Sequence, residues 1–117
     1  MKSKQIVIFF LFLCFGFIKL YSQSEWQNFN TQNSPLPHNR VSQIKQDKQG
    51  NFWIGTNDGL AKFDGNNWQV YTSANSSLPQ ATITDIVFIG NIIWLGTING
   101  LVKFDGNTFI TNGVKPL

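Results

Sequence analysis

The feature that most limits the folds open to this chain is an internal repeat. Residues 53–68 read Trp-Ile-Gly-Thr-Asn-Asp-Gly-Leu-Ala-Lys-Phe-Asp-Gly-Asn-Asn-Trp, and residues 94–109 read Trp-Leu-Gly-Thr-Ile-Asn-Gly-Leu-Val-Lys-Phe-Asp-Gly-Asn-Thr-Phe. Ten of those 16 positions are identical, at a constant offset of 41. Upstream the offset is 42: Ser34-Pro35-Leu36-Pro37 meets Ser76-Ser77-Leu78-Pro79, and Val41-Ser42-Gln43-Ile44 meets Ile83-Thr84-Asp85-Ile86. Trp26-Gln27-Asn28-Phe29 also matches Trp68-Gln69-Val70-Tyr71. The chain beyond residue 22 therefore reads as the tail of one unit followed by two full units, about 34–72 and 76–112. Self-similarity at such a period marks units that bury their apolar faces only by stacking on neighbours.

Inside each unit the hydrophobic period is two, and turn residues separate short runs. Val41 to Gln46, Phe52 to Thr56, Leu60 to Phe63 and Trp68 to Tyr71 are the predicted strands of the first unit. Lys48-Gln49-Gly50-Asn51, Asn57-Asp58-Gly59 and Asp64-Gly65-Asn66 are its turns; Asp-Gly supplies the positive φ that hairpins require. Residues 83–111 repeat the pattern, with turns at Gly90-Asn91, Asn99-Gly100 and Asp105-Gly106-Asn107. Helix signals are absent outside the N-terminal stretch. Four short antiparallel strands per unit of about 40 residues is the arithmetic of a β-propeller blade. The expected fold is all-β: two four-stranded antiparallel blades plus an N-terminal extra strand, an incomplete propeller over residues 23–117.

These residues resemble the two-component regulator propeller repeat. The resemblance rests on Leu36-Pro37-His38-Asn39-Arg40-Val41, then Ile44, Asp47 and Gly50-Asn51-Phe52-Trp53-Ile54-Gly55-Thr56, then Gly59-Leu60 and Phe63-Asp64-Gly65. The second unit departs from it where Ile89-Gly90-Asn91 replaces the Asp-x-x-Gly-Asn element. The resemblance implies the periplasmic sensor of a hybrid histidine kinase of Bacteroidetes-like bacteria, often one that detects polysaccharide fragments. It implies a glycan or oligosaccharide as ligand. No kinase core, receiver or DNA-binding segment is legible, so signalling chemistry is not expected here.

The first 22 residues read as a secretory signal peptide. Met1 to Gln5 is positive, Ile6 to Ile18 is a nearly unbroken apolar run, and Ser22 is a small residue before Gln23. That run is short of the about 20 apolar residues needed to span hydrocarbon, which disfavours a retained anchor. Leu11-Phe12-Leu13 before Cys14 lacks the small residues of a lipidation site. The expected location is periplasmic or secreted.

The formal charge of +3 dissolves once Lys2, Lys4 and Lys19 leave with that segment. Arg40, Lys45, Lys48, Lys62, Lys103 and Lys115 then face Glu25, Asp47, Asp58, Asp64, Asp85 and Asp105, and no basic patch remains for nucleic acid. Cys14, the single cysteine, leaves too, so no disulfide, thiol nucleophile or thiolate metal site is expected.

Few residues invite a chemical role. Trp53 and Trp94 hold one position in the two units and would suit sugar stacking, but a residue shared between repeats serves the shared scaffold. With Gly55, Gly59, Gly96 and Gly100 they are read as the repeat core, the glycines admitting close backbone approach. Trp26 and Trp68 fall on predicted outer strands, where edge packing is expected. Asp64 and Asp105 stand alone in hairpin loops, whereas a calcium site gathers about six oxygen ligands, so they are read as turn formers. Asp47-Lys48-Gln49-Gly50 resembles an Asp-box turn only loosely, and its spacing to Trp53 does not fit one. His38 has no identifiable nucleophile or orienting partner. No catalytic residue, metal site, cofactor or enzyme activity is expected.

Binding is expected at the loops leading into the first strands, since loops on a rigid scaffold carry function. His38, Asn39, Arg40 and Gln80 are the ligand-binding candidates, Arg40 foremost because its planar fork suits carboxylates. Two blades do not close a ring, which takes typically about four to eight. Three readings stay open: a sensor module completed by further copies of itself, a scaffold completed by another envelope protein, or a fragment of a longer sensor kinase.

Overall fold

The computed structural model describes residues 25–111. The expected leader over 1–22 and Cys14 lie outside the described residues. The eight strands are β1 (Val41–Gln46), β2 (Phe52–Thr56), β3 (Gly59–Phe63), β4 (Trp68–Tyr71), β5 (Ile83–Ile89), β6 (Ile92–Thr97), β7 (Gly100–Phe104) and β8 (Phe109–Ile110). They form two four-stranded sheets in the orders β1-β2-β3-β4 and β5-β6-β7-β8, antiparallel throughout. Each sheet is a blade, and no helix occurs among the described residues.

The repeat fixes the registers as well as the strands. Trp53 pairs with Lys62 and Thr56 with Gly59 in the first blade; Trp94 pairs with Lys103 and Thr97 with Gly100 in the second. The hairpin loops are two residues long, so Gly59 and Gly100 open strands rather than sit in the turn. Gly59 has φ +147°, and a Cβ there would lie 2.5 Å from the Tyr71 carbonyl oxygen. Only glycine lets β4 approach β3 so closely at this point. Thr56 Oγ1 donates to the Gly59 carbonyl at 2.8 Å and accepts from Asp58 N–H at 3.1 Å; Thr97 repeats both bonds with Gly100 and Asn99. This hairpin lock is the physical content of the Gly-Thr pair in each unit.

Strict alternation fails in the first strand of each blade. The register shifts between Val41 and Gln43, and again between Ile83 and Asp85. The bulge brings residues three apart to one side, so Ile83 and Ile86 both enter the core, with no exposed surface.

That core lies between the blades. Trp53 and Leu60 of the first blade meet Ile83, Ile86, Ile93, Leu95, Val102, Phe104 and Phe109 of the second, with Leu78 from the connector. Each fully buried Leu, Ile or Phe contributes about 1.5–3 kcal/mol relative to exposure. Gly55 makes the close approach possible: a Cβ on it would meet Ile83 Cγ2 at 2.6 Å. Ser42 Oγ donates to the Ile83 carbonyl, Gln43 Nε2 to Asp85 at 3.3 Å, and Lys45 Nζ to the Ile86 carbonyl at 3.1 Å. These contacts climb both strands together, so β1 and β5 run in the same direction.

The expected N-terminal strand differs from what is found. Residues 25–30 adopt no regular structure, and Trp26 is fully exposed. By the repeat this segment corresponds to β4, which exists only because β3 pairs with it; no described strand offers residues 26–29 such a partner. Its end is nonetheless in place. Phe29 rests against Phe63 at 5.3 Å and Trp68 at 5.5 Å, as Tyr71 rests against Phe104 at 5.1 Å and Phe109 at 5.4 Å. The loop that follows repeats several of its bonds. Ser34 Oγ donates to the Asn30 carbonyl and Ser76 Oγ to the Thr72 carbonyl, each at 2.6 Å. Asn33 Nδ2 donates to the Asn28 carbonyl, as Asn75 Nδ2 does to that of Val70. Residues 28–36 are thus folded as an inter-blade connector.

Candidate functional site

The loops into β1 and β5 open at the same edge of the paired blades, because those two strands run in the same direction. The Arg40 carbonyl accepts Asn57 N–H at 3.2 Å and the Thr82 carbonyl accepts Ile98 N–H at 3.1 Å. Each loop is thereby held beside its blade's β2–β3 or β6–β7 hairpin. The edge combines His38, Asn39, Arg40, Asn57 and Asp58 from the first blade with Gln80, Thr82, Ile98 and Asn99 from the second.

The four candidate residues divide by what their atoms already do. His38 is half-buried, and its Nδ1 accepts the Arg40 N–H at 2.9 Å. That hydrogen bond builds the loop. Asn39 Oδ1 accepts Thr31 N–H at 2.9 Å, tying the β1 loop to the connector. Arg40 and Gln80 are exposed, and among the described residues their side chains make no hydrogen bond or ion pair. They are the polar groups this edge can offer to a ligand.

The repeat tryptophans occupy different surroundings. Trp53 is buried between the blades, stacked on Tyr71 at 6.4 Å and edge-on to Phe104 at 6.1 Å. Its indole N–H donates to Asp47 Oδ2 at 2.9 Å. Trp94 is only half-buried, on the side of the second blade turned away from the first. Ile89 stands where the first unit has Asp47, and among the described residues the Trp94 N–H finds no acceptor. Lys62 and Lys103 lie over the two indoles at 5.4 and 5.9 Å. Gly55 and Gly59 are buried, whereas Gly96 is half-buried and Gly100 exposed.

Asp47 is the residue whose link to Trp53 the sequence does not reveal, since its spacing to that tryptophan does not fit an Asp-box. Its carboxylate accepts from Gln49 N–H at 3.0 Å, Asn51 N–H at 2.9 Å, Asn51 Nδ2 at 3.0 Å and the Trp53 indole. Burial alone would raise its pKa; the hydrogen bonds from Trp53, Asn51 and Gln49 outweigh it and hold the carboxyl below its ordinary 3.8. The available signal was the Asp-x-x-Gly-Asn-x-Trp order, in which both the turn and the indole converge on one carboxylate. Asp64 and Asp105 cap their turns by accepting two backbone N–H bonds each, and these bonds lower both pKa values. No group of three His, Cys, Asp or Glu side chains that could hold a metal ion occurs among the described residues.

A cavity of about 430 Å³ opens at the β6–β7 hairpin end of the second blade, between Pro79, Thr97, Asn99, Gly100, Leu101, Val102 and Thr111. It is mainly apolar, and no charged side chain lines it.

Comparison with known proteins gives the same resemblance that the residues carry. Residues 35–58 match the family model described as two component regulator propeller. Histidine kinase P4 of Formosa agariphila is 40% identical over 65 residues, which is 56% of this chain and 5% of that protein. The chain thus spans about one twentieth of the length of that relative. No solved structure matches.

Proposed function

From residues 35–58, which carry a two-component regulator propeller repeat, we propose that this chain is a non-catalytic recognition module of a two-component sensing system. It acts outside the cytoplasm and takes an oligosaccharide at the loop edge of its blades. The observation that carries the reading is the pair of unengaged planar side chains, Arg40 and Gln80, on loops otherwise fixed by their own hydrogen bonds. A guanidinium fork suits the carboxylate of an acidic sugar, and a carboxamide both donates and accepts, as sugar hydroxyls require. His38 and Asn39 hold the loop in shape, so the site is preorganised. The sensing role comes from the likeness to a protein named as a histidine kinase. Phosphotransfer belongs to other parts of such a system.

The test is a glycan array probed with the purified full chain, followed by titration calorimetry on any sugar retained. Binding that falls at least tenfold in Arg40→Ala and Gln80→Ala, with unchanged circular dichroism, supports the reading. A chain that retains no glycan, or binds equally well in both variants, overturns it.

A further inference from the structure

We infer that the two outer faces of this chain are complementary halves of one interface, and that a second copy docks on it head-to-tail. The incoming copy seats Val41 of its β1 on Gly96, as Ile83 seats on Gly55 within the chain. This inference is independent of the sugar reading and concerns the faces rather than the loop edge.

The interface is already on view once, between the two blades. Ile83 and Ile86 are its plug and have no exposed surface; Gly55 and Leu60 are its socket, and Leu60 is fully buried. The repeat supplies each half a second time, and among the described residues neither is occupied. Val41 and Ile44, the counterparts of Ile83 and Ile86, are 41% and 55% exposed. Leu101, the counterpart of Leu60, is 45% exposed. A Cβ on Gly96 would meet only Thr84 and Asp85 of its own blade, whereas one on Gly55 strikes the neighbouring blade.

The polar contacts transfer as well. Thr84 replaces Ser42 and brings a hydroxyl to the Val41 carbonyl of the incoming copy. Asp85, which accepts from Gln43 within the chain, meets Gln43 of the incoming copy as its second donor. One bond is lost, since Val87 stands where Lys45 would donate. At the outer rim the incoming Phe29 covers the half-buried Trp94 as Tyr71 covers Trp53. Phe29 is already docked on its own blade for this. Trp26 and Gln27, whose places are held by Phe109 and Ile110, stay off the sheet. Plug and socket lie on opposite faces, so the contact is heterologous, and copies add until a ring closes or a filament grows.

The experiment is the solution mass of the full chain by light scattering across a concentration series, with Val41→Asp removing the plug and Gly96→Val filling the socket. The wild type is expected to associate into integer multiples of the chain mass. Each variant alone is expected to be monomeric, and an equimolar mixture to give a dimer and nothing larger, because one plug and one socket survive. A wild type that stays monomeric at every concentration overturns the inference. So does a variant that assembles like the wild type, or a mixture that does not pair. If either variant loses its β-sheet circular dichroism, Ile44→Asp and Leu101→Asp probe the same two faces from exposed positions, with the same expectations.

Discussion

The Asp47 carboxylate accepts the Trp53 indole N–H at 2.9 Å while it also closes the turn between β1 and β2. One side chain therefore fixes the turn and the orientation of the largest aromatic ring between the blades. Removing it leaves a buried indole donor and two turn N–H groups without their acceptor. Asp47→Ala is expected to cost about 1–3 kcal/mol, the range for orphaning a buried donor. Urea unfolding followed by tryptophan fluorescence measures it. A double-mutant cycle with Trp53→Phe separates the indole bond from the turn; a coupling near zero would show that the turn alone matters.

Acid should unfold the protein through the same groups. Asp47, Asp64 and Asp105 all have pKa values below the ordinary 3.8 in the folded chain. A depressed folded pKa contributes stability that is present above 3.8 and lost as pH falls through the folded value. Stability should therefore be flat from neutral pH down to about 5 and decline below about 4. Thermal unfolding from pH 7 to 2.5 reads this directly. In Asp47→Asn the decline should be shallower; an unchanged slope would assign the acid sensitivity to other carboxylates.

Most of the fold is legible in the sequence because the repeat is a physical ruler. The offset of 41 places each strand twice, and the hairpins at Asn57-Asp58 and Ile98-Asn99 follow from the residues that bound them. What is not legible is which copy of a repeated residue finds a neighbour. Trp53 and Trp94 look equivalent in the sequence, yet one is enclosed by Tyr71 and Phe104 and the other is half-buried. The same holds for Trp26-Gln27-Asn28-Phe29, which copies a strand but lacks a sheet to join. The bulges in β1 and β5 escape period-two reasoning altogether, since they turn residues three apart, Val41 and Ile44 in one and Ile83 and Ile86 in the other, to one side. At the loop edge, sequence singles out His38 and Asn39 by chemistry, but their acceptor atoms are engaged within the chain, which only geometry reveals.

Glycines at the same repeat position should respond oppositely to a methyl group. At Gly55 a Cβ would stand 2.6 Å from Ile83 Cγ2, so the blades must part; Gly55→Ala is expected to cost about 1–3 kcal/mol, as for overpacking a core. At Gly96 the nearest atom is the Thr84 hydroxyl at 3.3 Å, the end of a side chain that can rotate. In the dissociated chain, at dilution, Gly96→Ala should stay within about 0.5 kcal/mol of the wild type, as surface changes usually do. Paired urea melts of the two variants decide the matter, and equal losses would refute the asymmetry between the faces.

Phe104 is the aromatic on which the two blades depend most. It is 1% exposed, stacks on Phe109 at 4.1 Å, and receives Trp53 and Tyr71 from the first blade. Its counterpart Phe63 stacks on Trp68 at 4.4 Å and, among the described residues, has Phe29 as its outer aromatic neighbour. Phe104→Ala should therefore cost about 3–5 kcal/mol, the range for emptying a buried aromatic site. Phe63→Ala, on a partly open face, should cost less. Since Phe104 joins the blades and Phe63 does not, the first loss should fall on the cooperativity of unfolding as well as on its midpoint. Phe104→Ala should broaden the urea transition monitored at Trp53, and Phe63→Ala should shift it without broadening. Identical transitions for the two variants would mean that the blades unfold independently of the core between them.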